Sequence, residues 1–356
     1  MTAVSESQEA VSAAAPEHLA AAQLRRRSAW RAYELVLWLV AVALIFLLPS
    51  KALLLTEIAI VALFAVSLDL ILGYAGIVSL GHGAFFGLGA YVAGLFARHY
   101  FTEPVTGLLV AGLASGIFGF AASFLVLRGS DLTRLMTTLG IALMLAELAN
   151  QMAWLTGGAD GLGGFTIGPI LGLFEFDLWG RTGYIYSLAV LFLAMLIARR
   201  LVHAPFGLSL KAIKANRVRA AMVGVPANSR IVVIYTIAAV YAGFAGALLT
   251  QTTSFVSPDV LAFHRSADVL LVLVIGGVGY LYGGIIGAIV FTLLRDWLSV
   301  ITPQYWMFWI GLVLVVIVLI GRENLARWHT FLPAPVQRVF KRAASWRPGV
   351  KLGGGG

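Results

Sequence analysis

Acidic side chains stand inside long apolar stretches of this sequence, where a carboxylate could bind a polar solute or carry a proton. They are Glu57, Asp69, Glu147 and Asp268. A carboxylate is costly to hold inside a membrane and is often functional there. Asp268 is predicted near the outer end of its span, and Glu57 lies only a turn or two inside its own. Asp69 and Glu147 are therefore the better candidates for a path through the membrane.

Glycine-rich backbone follows Asp69 in the segment GYAGIVSLGHGAFFGLGAY at 73–91. Lipid cannot satisfy exposed N–H and C=O groups, so an irregular segment at this depth must pack inside protein or line a watery path. An apolar stretch interrupted by glycine is also the usual sequence pointer to a transport site. The residues that could turn the backbone, free its polar groups or add a side-chain donor are Gly73, Gly76, Ser79, Gly81, His82 and Gly83.

The same segment has a second interpretation, in which its residues only pack helices together. Small residues let membrane helices approach closely, and Gly87, Gly89 and Ala90 would form such a face. For the glycines both interpretations stay open. For His82 a packing role is favoured over a proton shuttle, because no carboxylate lies nearby in the sequence.

A second glycine-rich break, GGVGYLYGG, interrupts the apolar stretch 267–294. A membrane helix needs about 20 mostly apolar residues, and this stretch is too long for one short span. We therefore predict two half-length helices, 267–275 and 284–294, around a turn. The glycines of this turn that join the path candidates are Gly276, Gly277 and Gly279.

The composition is that of a polytopic membrane protein. Of the 356 residues, 60% are hydrophobic and 12% are charged, whereas soluble domains are about half apolar and about a quarter charged. The absence of cysteine excludes disulfides, thiolate metal sites and cysteine catalysis. No GxxxxGK[ST] phosphate loop, HExxH motif or Ser-His-Asp set can be picked out, and the histidine spacing suggests no metal site. We expect neither enzyme activity nor a bound metal.

The apolar stretches predict an all-α fold with about ten membrane crossings, including the broken glycine-rich segments, and with both termini in the cytoplasm. The predicted spans are 32–48, 52–72, 77–97, 104–127, 135–153, 182–198, 231–251, 267–275, 284–294 and 304–320. Cytoplasmic segments are enriched in Lys and Arg, and those of this topology hold 20 of the 25 such residues. These segments are 1–31, 128–134, 199–230 and 322–356, with turns near 73–76 and 276–283. The net charge of +9 then needs no nucleic-acid partner.

The cytoplasmic segment 199–230 contains a short amphipathic helix, APFGLSLKAIKANRVRAAMVGV. Pro205 suits the first turn of a helix, and Gly224 suits its end. Such a helix could lie flat on anionic lipid, or it could dock into a groove on a soluble partner. Its position between two spans favours a partner whose motion it transmits.

Three blocks of the sequence together resemble the permeases of branched-chain amino-acid ABC importers. The blocks are LDLILGYAGIVSLGHGAFFGLGAYVAG (68–94), GLSLKAIKANRVRAAMVGVPANSRIVVIYTIAAVYAGFAGALL (207–249) and SADVLLVLVIGGVGYLYGGIIGA (266–288). They stand in the expected order, and with the spans between them the resemblance runs from roughly 35 to 325. The predicted spans and the charge distribution give a permease domain at 32–321 between cytoplasmic tails at 1–31 and 322–356, and the tails lie outside the resemblance.

The resemblance implies a transport subunit of a bacterial inner membrane that works with several partners. These are a homologous second permease, two cytoplasmic ATPases that use ATP and Mg²⁺, a periplasmic substrate-binding protein and membrane lipid. No cofactor is expected in this chain. The segment 205–224 is similar to the family's ATPase-docking loop. The residues expected to couple to the ATPases are Pro205, Phe206, Gly207, Lys211, Ile213, Lys214, Arg217, Met222 and Gly224.

Two positions depart from the family pattern. The docking loop usually carries an acid shortly after the position of Lys214, whereas this chain continues with Ala215, Asn216 and Arg217. This departure suggests an adapted ATPase. An asparagine is common where Asp69 stands, and an acid there could change the substrate, which in the wider family is a branched-chain amino acid, an amide, urea or a small carboxylate.

Two other classes of function compete with the permease. An ion-coupled secondary transporter would also have helices broken at two places. It would work alone and would be inactivated by Asp69→Asn, but it has no need of a docking helix. A membrane-embedded enzyme could use His82 and Asp69 as acid and base, yet neither a metal set nor a nucleophile triad accompanies them.

Overall fold

The computed structural model describes residues 32–129, 131–177 and 179–320, and both predicted tails lie outside these residues. The α-helices are α1 (Ala32–Leu47), α2 (Ala52–Asp69), α3 (Gly83–His99), α4 (Pro104–Leu127), α5 (Asp131–Gln151), α6 (Ala153–Thr156), α7 (Arg181–His203), α8 (Pro205–Ala215), α9 (Arg217–Met222), α10 (Ala227–Thr253), α11 (Phe263–Gly276), α12 (Gly283–Ile301) and α13 (Trp306–Ile320). A π-helical turn, Leu70–Tyr74, extends α2.

Six helices in the described part of the chain are long and apolar enough to cross a membrane. They are α2 with its flanking turns, α4, α5, α7, α10 and α12. The polytopic helical fold expected from hydropathy is thereby confirmed. The other four predicted spans fall on α1, α3, α11 and α13, which have 14 to 17 residues each. The count of ten crossings and the side of each terminus stay predictions.

Helix α10 packs along α3 and α4 in the first compact unit of the chain, whose described residues end at 293. Small residues bring these helices to backbone contact. A Cβ atom on Gly89 of α3 would overlap the backbone of Gly243, and one on Gly119 of α4 would overlap the side chain of Ala239. Gly89 therefore packs helices together, as one of its two interpretations required.

The first glycine-rich segment breaks the chain between α2 and α3, and the break is longer than predicted. A span was expected from residue 77, whereas residues 76–82 are not helical and α3 begins at Gly83. Gly76 has a φ of 73°, which side-chain-bearing residues rarely adopt. Gly81 lies against the backbone of Thr138 with no room for a Cβ atom. The stretch has the hydropathy of a membrane span, but Gly76 and Gly81 allow a non-helical backbone there.

The second break matches the prediction of two helices around a glycine turn. Helix α11 ends at Gly276 and α12 begins at Gly283. Gly277 and Gly279 between them have φ angles of 104° and 81°. Both helices extend beyond the half-length helices predicted for them, mostly at the ends far from the turn, where residues 263–266 and 295–301 are also helical.

The connections between helices form two groups, and the members of each group contact one another. In one group, the connection after α2 meets α8 and the turn between α11 and α12. In the other, the connection after α6 pairs with the connection after α10 through a bridge between Leu162 and Val256. The first group joins parts of 73–76, 199–230 and 276–283, and the side of the membrane on which they lie stays a prediction.

Within the part of the chain that the structure describes, residues 294–320 belong to the second compact unit. Its described part consists of the end of α12, a short turn and α13. The sequence of α13, WMFWIGLVLVVIVLI, carries no charged residue. The tenth predicted span therefore corresponds to an apolar helix of 15 residues.

Candidate functional site

Four residues, Asp69, Gly73, Lys214 and Gly279, join the two glycine breaks to helix α8, and we call them the glycine junction. Asp69 is the last residue of α2 and is fully buried. Its Oδ1 accepts a hydrogen bond from the Gly279 N–H at 2.7 Å. The Nζ of Lys214 donates to the Gly73 carbonyl, also at 2.7 Å. Three predicted path residues and one predicted coupling residue thus meet at one place.

The π-helical turn after Asp69 explains why the Gly73 carbonyl is open to a side chain. In a continuous α-helix this carbonyl would accept from the N–H of residue 77. Here the Ile77 N–H donates to the Ile71 carbonyl at 3.1 Å instead. Turns of this kind are rare and occur often at functional sites. The turn therefore leaves a backbone acceptor that the Lys214 ammonium group uses.

The glycines of the junction let backbones approach where side chains would keep them apart. A Cβ atom on Gly73 would lie 2.7 Å from the Gly279 nitrogen. A Cβ atom on Gly76 would lie 2.9 Å from Cγ of Lys214. Real Cβ atoms essentially never come this close to other heavy atoms, so larger residues would push α8 and the α11–α12 turn away from the end of α2.

A second group of path candidates surrounds His82, just before α3. The imidazole is fully buried, and its Nε2 lies 2.8 Å from Oγ of Ser67. The ring stacks on Phe64 and meets Phe85 edge-on, each at 5.6 Å between centroids. His82 thus has aromatic neighbours on two sides and a hydroxyl partner, and its role stays a prediction.

The remaining candidates before α3 make contacts with α5, α10 and α11. The Gly83 N–H donates to Oγ of Ser266 at 2.8 Å, so a side chain of α11 closes the start of α3. Gly81 touches the backbone of Thr138 on α5. Ser79 is fully buried and lies beside the Tyr235 hydroxyl of α10. This connection is held by three helices at once.

Glu147 lies on a different surface from the glycine junction. It is exposed on α5, and its Oε1 accepts a hydrogen bond from Nε2 of Gln151 at 2.7 Å. Both side chains border a mainly apolar groove of about 630 Å³ between α4 and α5. Only 17% of the α5 span is buried, the lowest share among the six candidate spans. The two acids selected from the sequence are therefore not brought together.

The predicted docking helix is two helices, α8 and α9, which meet at Asn216. This residue has an extended backbone, and its side chain accepts a hydrogen bond from the Arg219 N–H at 2.9 Å, which caps α9. The prediction of a single helix was wrong because a capping residue in its middle starts a new one. Pro205 does occupy the first turn of α8, and Gly224 has a φ of 86° just after α9.

The two docking helices divide the predicted coupling residues between them. Ile213 of α8 is buried, and Gly207 lies against the backbone of the preceding turn. Lys211 places its Nζ 5.5 Å from the centre of the Tyr74 ring, within the range of a cation–π contact.

Phe206 packs under the guanidinium group of Arg230 at 5.2 Å. On α9, Met222 is 80% exposed. Arg217 donates to Oδ1 of Asn228 at 2.7 Å. Helix α8 therefore packs against the end of α2 through Lys211 and Lys214, whereas α9 exposes Met222 to solvent.

A buried ion pair between Glu34 of α1 and Arg199 of α7 was not found from the sequence. Both residues are less than a tenth exposed. Tyr282, from the turn before α12, lies within electrostatic range of both. Glu34 is at the first turn of a predicted span and Arg199 was assigned to a cytoplasmic segment, so only their distance in space reveals the pair.

Among the residues that the structure describes, no three His, Asp or Glu side chains gather in a group that could hold a metal ion. One groove of about 900 Å³ runs beside α1 and α7, and its lining is mostly apolar, including Trp38 and Phe192. A groove of this character suits lipid or another apolar helix better than a polar solute.

Comparison with protein families matches residues 51–318 to the permease component of branched-chain amino acid transport systems. This match covers well over half of the chain. The chain belongs to this family. It is accordingly a multi-pass membrane protein of a transport permease family, as the three sequence blocks indicated.

Three curated relatives are similar to this chain. LivM, the high-affinity branched-chain amino acid transport system permease protein of Escherichia coli, is 28% identical over 256 residues, and its counterpart in Salmonella typhimurium is identical to the same degree. These alignments cover 66% of this chain and 60% of each relative. The ribose import permease protein RbsC of Bacillus subtilis is 29% identical over 174 residues, which cover 44% of this chain and 53% of that protein. No solved structure matches the chain significantly.

Proposed function

We propose that this chain is a permease subunit of an ATP-binding-cassette importer in a bacterial inner membrane. Its substrate would be a branched-chain amino acid or a related small amino acid, amide or carboxylate. The family match and the printed functions of the relatives support this proposal. The observation that carries it is the hydrogen bond from Lys214 to the Gly73 carbonyl, because it connects a surface helix directly to a break in a membrane span.

The partners proposed for this subunit are a homologous second permease, two ATPases and a periplasmic substrate-binding protein. The segment 199–230 supports an ATPase contact, since it contains seven Lys and Arg residues and no Asp or Glu. The exposed side chains of Val218, Met222 and Val223 add an apolar patch to this basic surface. An ATPase with an acidic rim around an apolar groove would complement it. ATP and Mg²⁺ would be bound by the ATPases.

The path for the solute is proposed to run beside the non-helical connection 76–82 and the outward face of α5. Glu147 supports this placement, because an exposed carboxylate on a membrane helix faces protein or water rather than lipid. Gly140 lies on the same helix with open space around it, where another helix could approach closely. The second permease would cover this face and enclose the path.

The mechanism would be alternating access without covalent chemistry in this chain. ATP binding and hydrolysis in the partners would move α9 and α8 together. Lys214 would carry this motion to the end of α2, and the helices on either side of the two breaks would then rock against α10. The subunit itself would supply a path and a mechanical connection.

Uptake by a reconstituted complex tests the proposal. The chain, its second permease and the two ATPases are placed in vesicles with ATP inside, and radiolabelled leucine is added outside with the binding protein. We expect uptake that requires ATP. Lys211→Glu, which reverses a charge on the docking surface, should reduce uptake about tenfold while the ATPases still hydrolyse ATP, a change that corresponds to about 1.4 kcal/mol.

Arg98→Glu is the matched control, because Arg98 is an exposed cation at the end of α3, away from α8. It should leave uptake near the parent value. Uptake of leucine by this chain alone, driven by a proton or sodium gradient, would refute the proposal in favour of a secondary transporter. Equal uptake by Lys211→Glu and the parent would remove the docking role.

A further inference from the structure

Each of the two glycine breaks leaves a backbone group that its own helix does not satisfy. The carbonyl of Gly73 loses its helical partner at the π turn. The N–H of Gly279 lies beyond the end of α11 and before the start of α12. Backbone groups buried away from water must find partners, since each unmet group costs about 1–3 kcal/mol.

Both backbone groups are satisfied by charged side chains from other parts of the chain. Lys214, 141 positions away, bonds the Gly73 carbonyl. Asp69, 210 positions away, bonds the Gly279 N–H. Hydrogen bonds to charged groups are stronger than neutral ones. The two bonds lie close together, because the space that a Cβ atom on Gly73 would take is occupied by the Asp69 carboxylate.

We infer that the glycine junction transmits movement of α8 to both breaks, with Lys214 and Asp69 as positioning residues. Lys214 holds the end of α2 to α8, and Asp69 holds the α11–α12 turn to the end of α2. Neither side chain then needs to touch the solute. Asp69 acts as a hydrogen-bond acceptor rather than as a proton carrier. The inference rests on the proposed function for the source of the movement, but the connection itself belongs to this chain.

The close contacts of the glycines make this connection stiff. The backbone of the turn at Gly279 lies directly against Gly73, with the Asp69 carboxylate beside both, and Gly76 lies directly against the stem of Lys214. Packed elements in direct contact move as a unit more readily than elements separated by flexible side chains. A displacement of α8 would therefore reach both breaks with little loss.

Spin labels can measure the connection directly because the native chain has no cysteine. Cysteines are introduced at Leu208 on α8, which is 42% exposed, and at Tyr280 in the turn, which is 57% exposed. Electron–electron resonance on the labelled full-length chain in nanodiscs gives the distance distribution between the two sites. We expect a single narrow distribution for the parent.

Loss of either bond should release the turn from α8. In Lys214→Met and Asp69→Leu, the population with the parent distance should fall about tenfold or more, as expected when a hydrogen bond to a charged group is lost. Lys214→Arg and Asp69→Asn keep a donor and an acceptor and should retain the narrow distribution. Arg219→Met removes an exposed cation from α9 and is the control for charge alone.

The outcomes separate this inference from the proposed function. A narrow parent-like distribution in Lys214→Met and in Asp69→Leu would overturn the junction, whether or not ATPases bind. If Asp69→Leu does not fold, Lys214→Met alone decides, because Lys214 is an exposed residue. In the complete importer carrying Lys214→Met, the ATPases should still hydrolyse ATP while solute uptake falls about tenfold or more. The importer carrying Lys214→Arg should keep its uptake. Loss of uptake in Asp69→Asn with the distribution unchanged would also overturn the inference, since the carboxylate would then have a role in transport beyond accepting the Gly279 hydrogen bond.

Discussion

Breaking the ion pair between Glu34 and Arg199 should cost more stability than any comparable change at the surface. Glu34 is 5% exposed and Arg199 is 7% exposed, so water has little access to replace a missing partner. Arg199→Met keeps most of the side-chain length but leaves the Glu34 carboxylate buried without its cation. The free energy of unfolding should fall by about 3–5 kcal/mol, the usual cost of removing one member of a buried pair.

The double variant Glu34→Gln with Arg199→Met should recover most of this loss, because replacing both charges of a buried pair is often close to neutral. Arg200→Met is the matched control: Arg200 is adjacent but exposed, and its change should stay within about 0.5 kcal/mol. Unfolding is followed by tryptophan fluorescence during titration of dodecylmaltoside micelles with dodecyl sulfate. A cost below about 1 kcal/mol for Arg199→Met, or a double variant as unstable as the single one, would refute the buried-pair argument.

Two further changes test the packing of α3 and the docking helices. Gly89→Leu should prevent recovery of folded protein by size-exclusion chromatography, because the backbone of α10 occupies the space that the new side chain would need. The control is Gly140→Ala in the isolated chain, which should be recovered at the parent level because the space around Gly140 is open. Equal recovery of both variants would contradict the close-packing argument. Asn216→Ala removes the cap of α9 and should destabilise that helix by about 1 kcal/mol, which would be measured as faster amide exchange in α9 but not in α8. Asn216→Asp should keep the cap. Unchanged amide exchange in Asn216→Ala would contradict the capping role of Asn216.

The breaks in the membrane helices could be predicted because glycine leaves a local signature in the sequence. Both glycine-rich runs are observed as breaks, and Gly76 and Gly279 have the positive φ angles that favour glycine. The start of α3 could not be placed, since apolar side chains around Gly81 have the same hydropathy in a helix and in an irregular segment. Packing against the Thr138 backbone decides between them, and that contact is 57 positions away in the sequence.

The partners of the charged residues could not be predicted, because they depend on contacts between distant segments. Asp69 stands out in the sequence as an acid in an apolar stretch, but its hydrogen bond to Gly279 spans 210 positions. Glu147 has the same apolar surroundings in the sequence, yet it lies on an exposed helix face. Hydropathy reports how apolar a segment is and gives no information on which face of it another helix covers.

The division at Asn216 separates α8, which packs against the membrane helices, from α9, which is mostly exposed to solvent. Helix α8 is anchored by Leu210, Ile213 and the Lys214 bond, whereas Ala220 is the buried residue of α9. Under the proposed function, substitutions within the six residues of α9 would change the fit to the ATPase without disturbing the contacts of α8. A chain built in this way could evolve to bind a different partner through substitutions in α9 alone, while the connection from α8 to the two breaks stays unchanged.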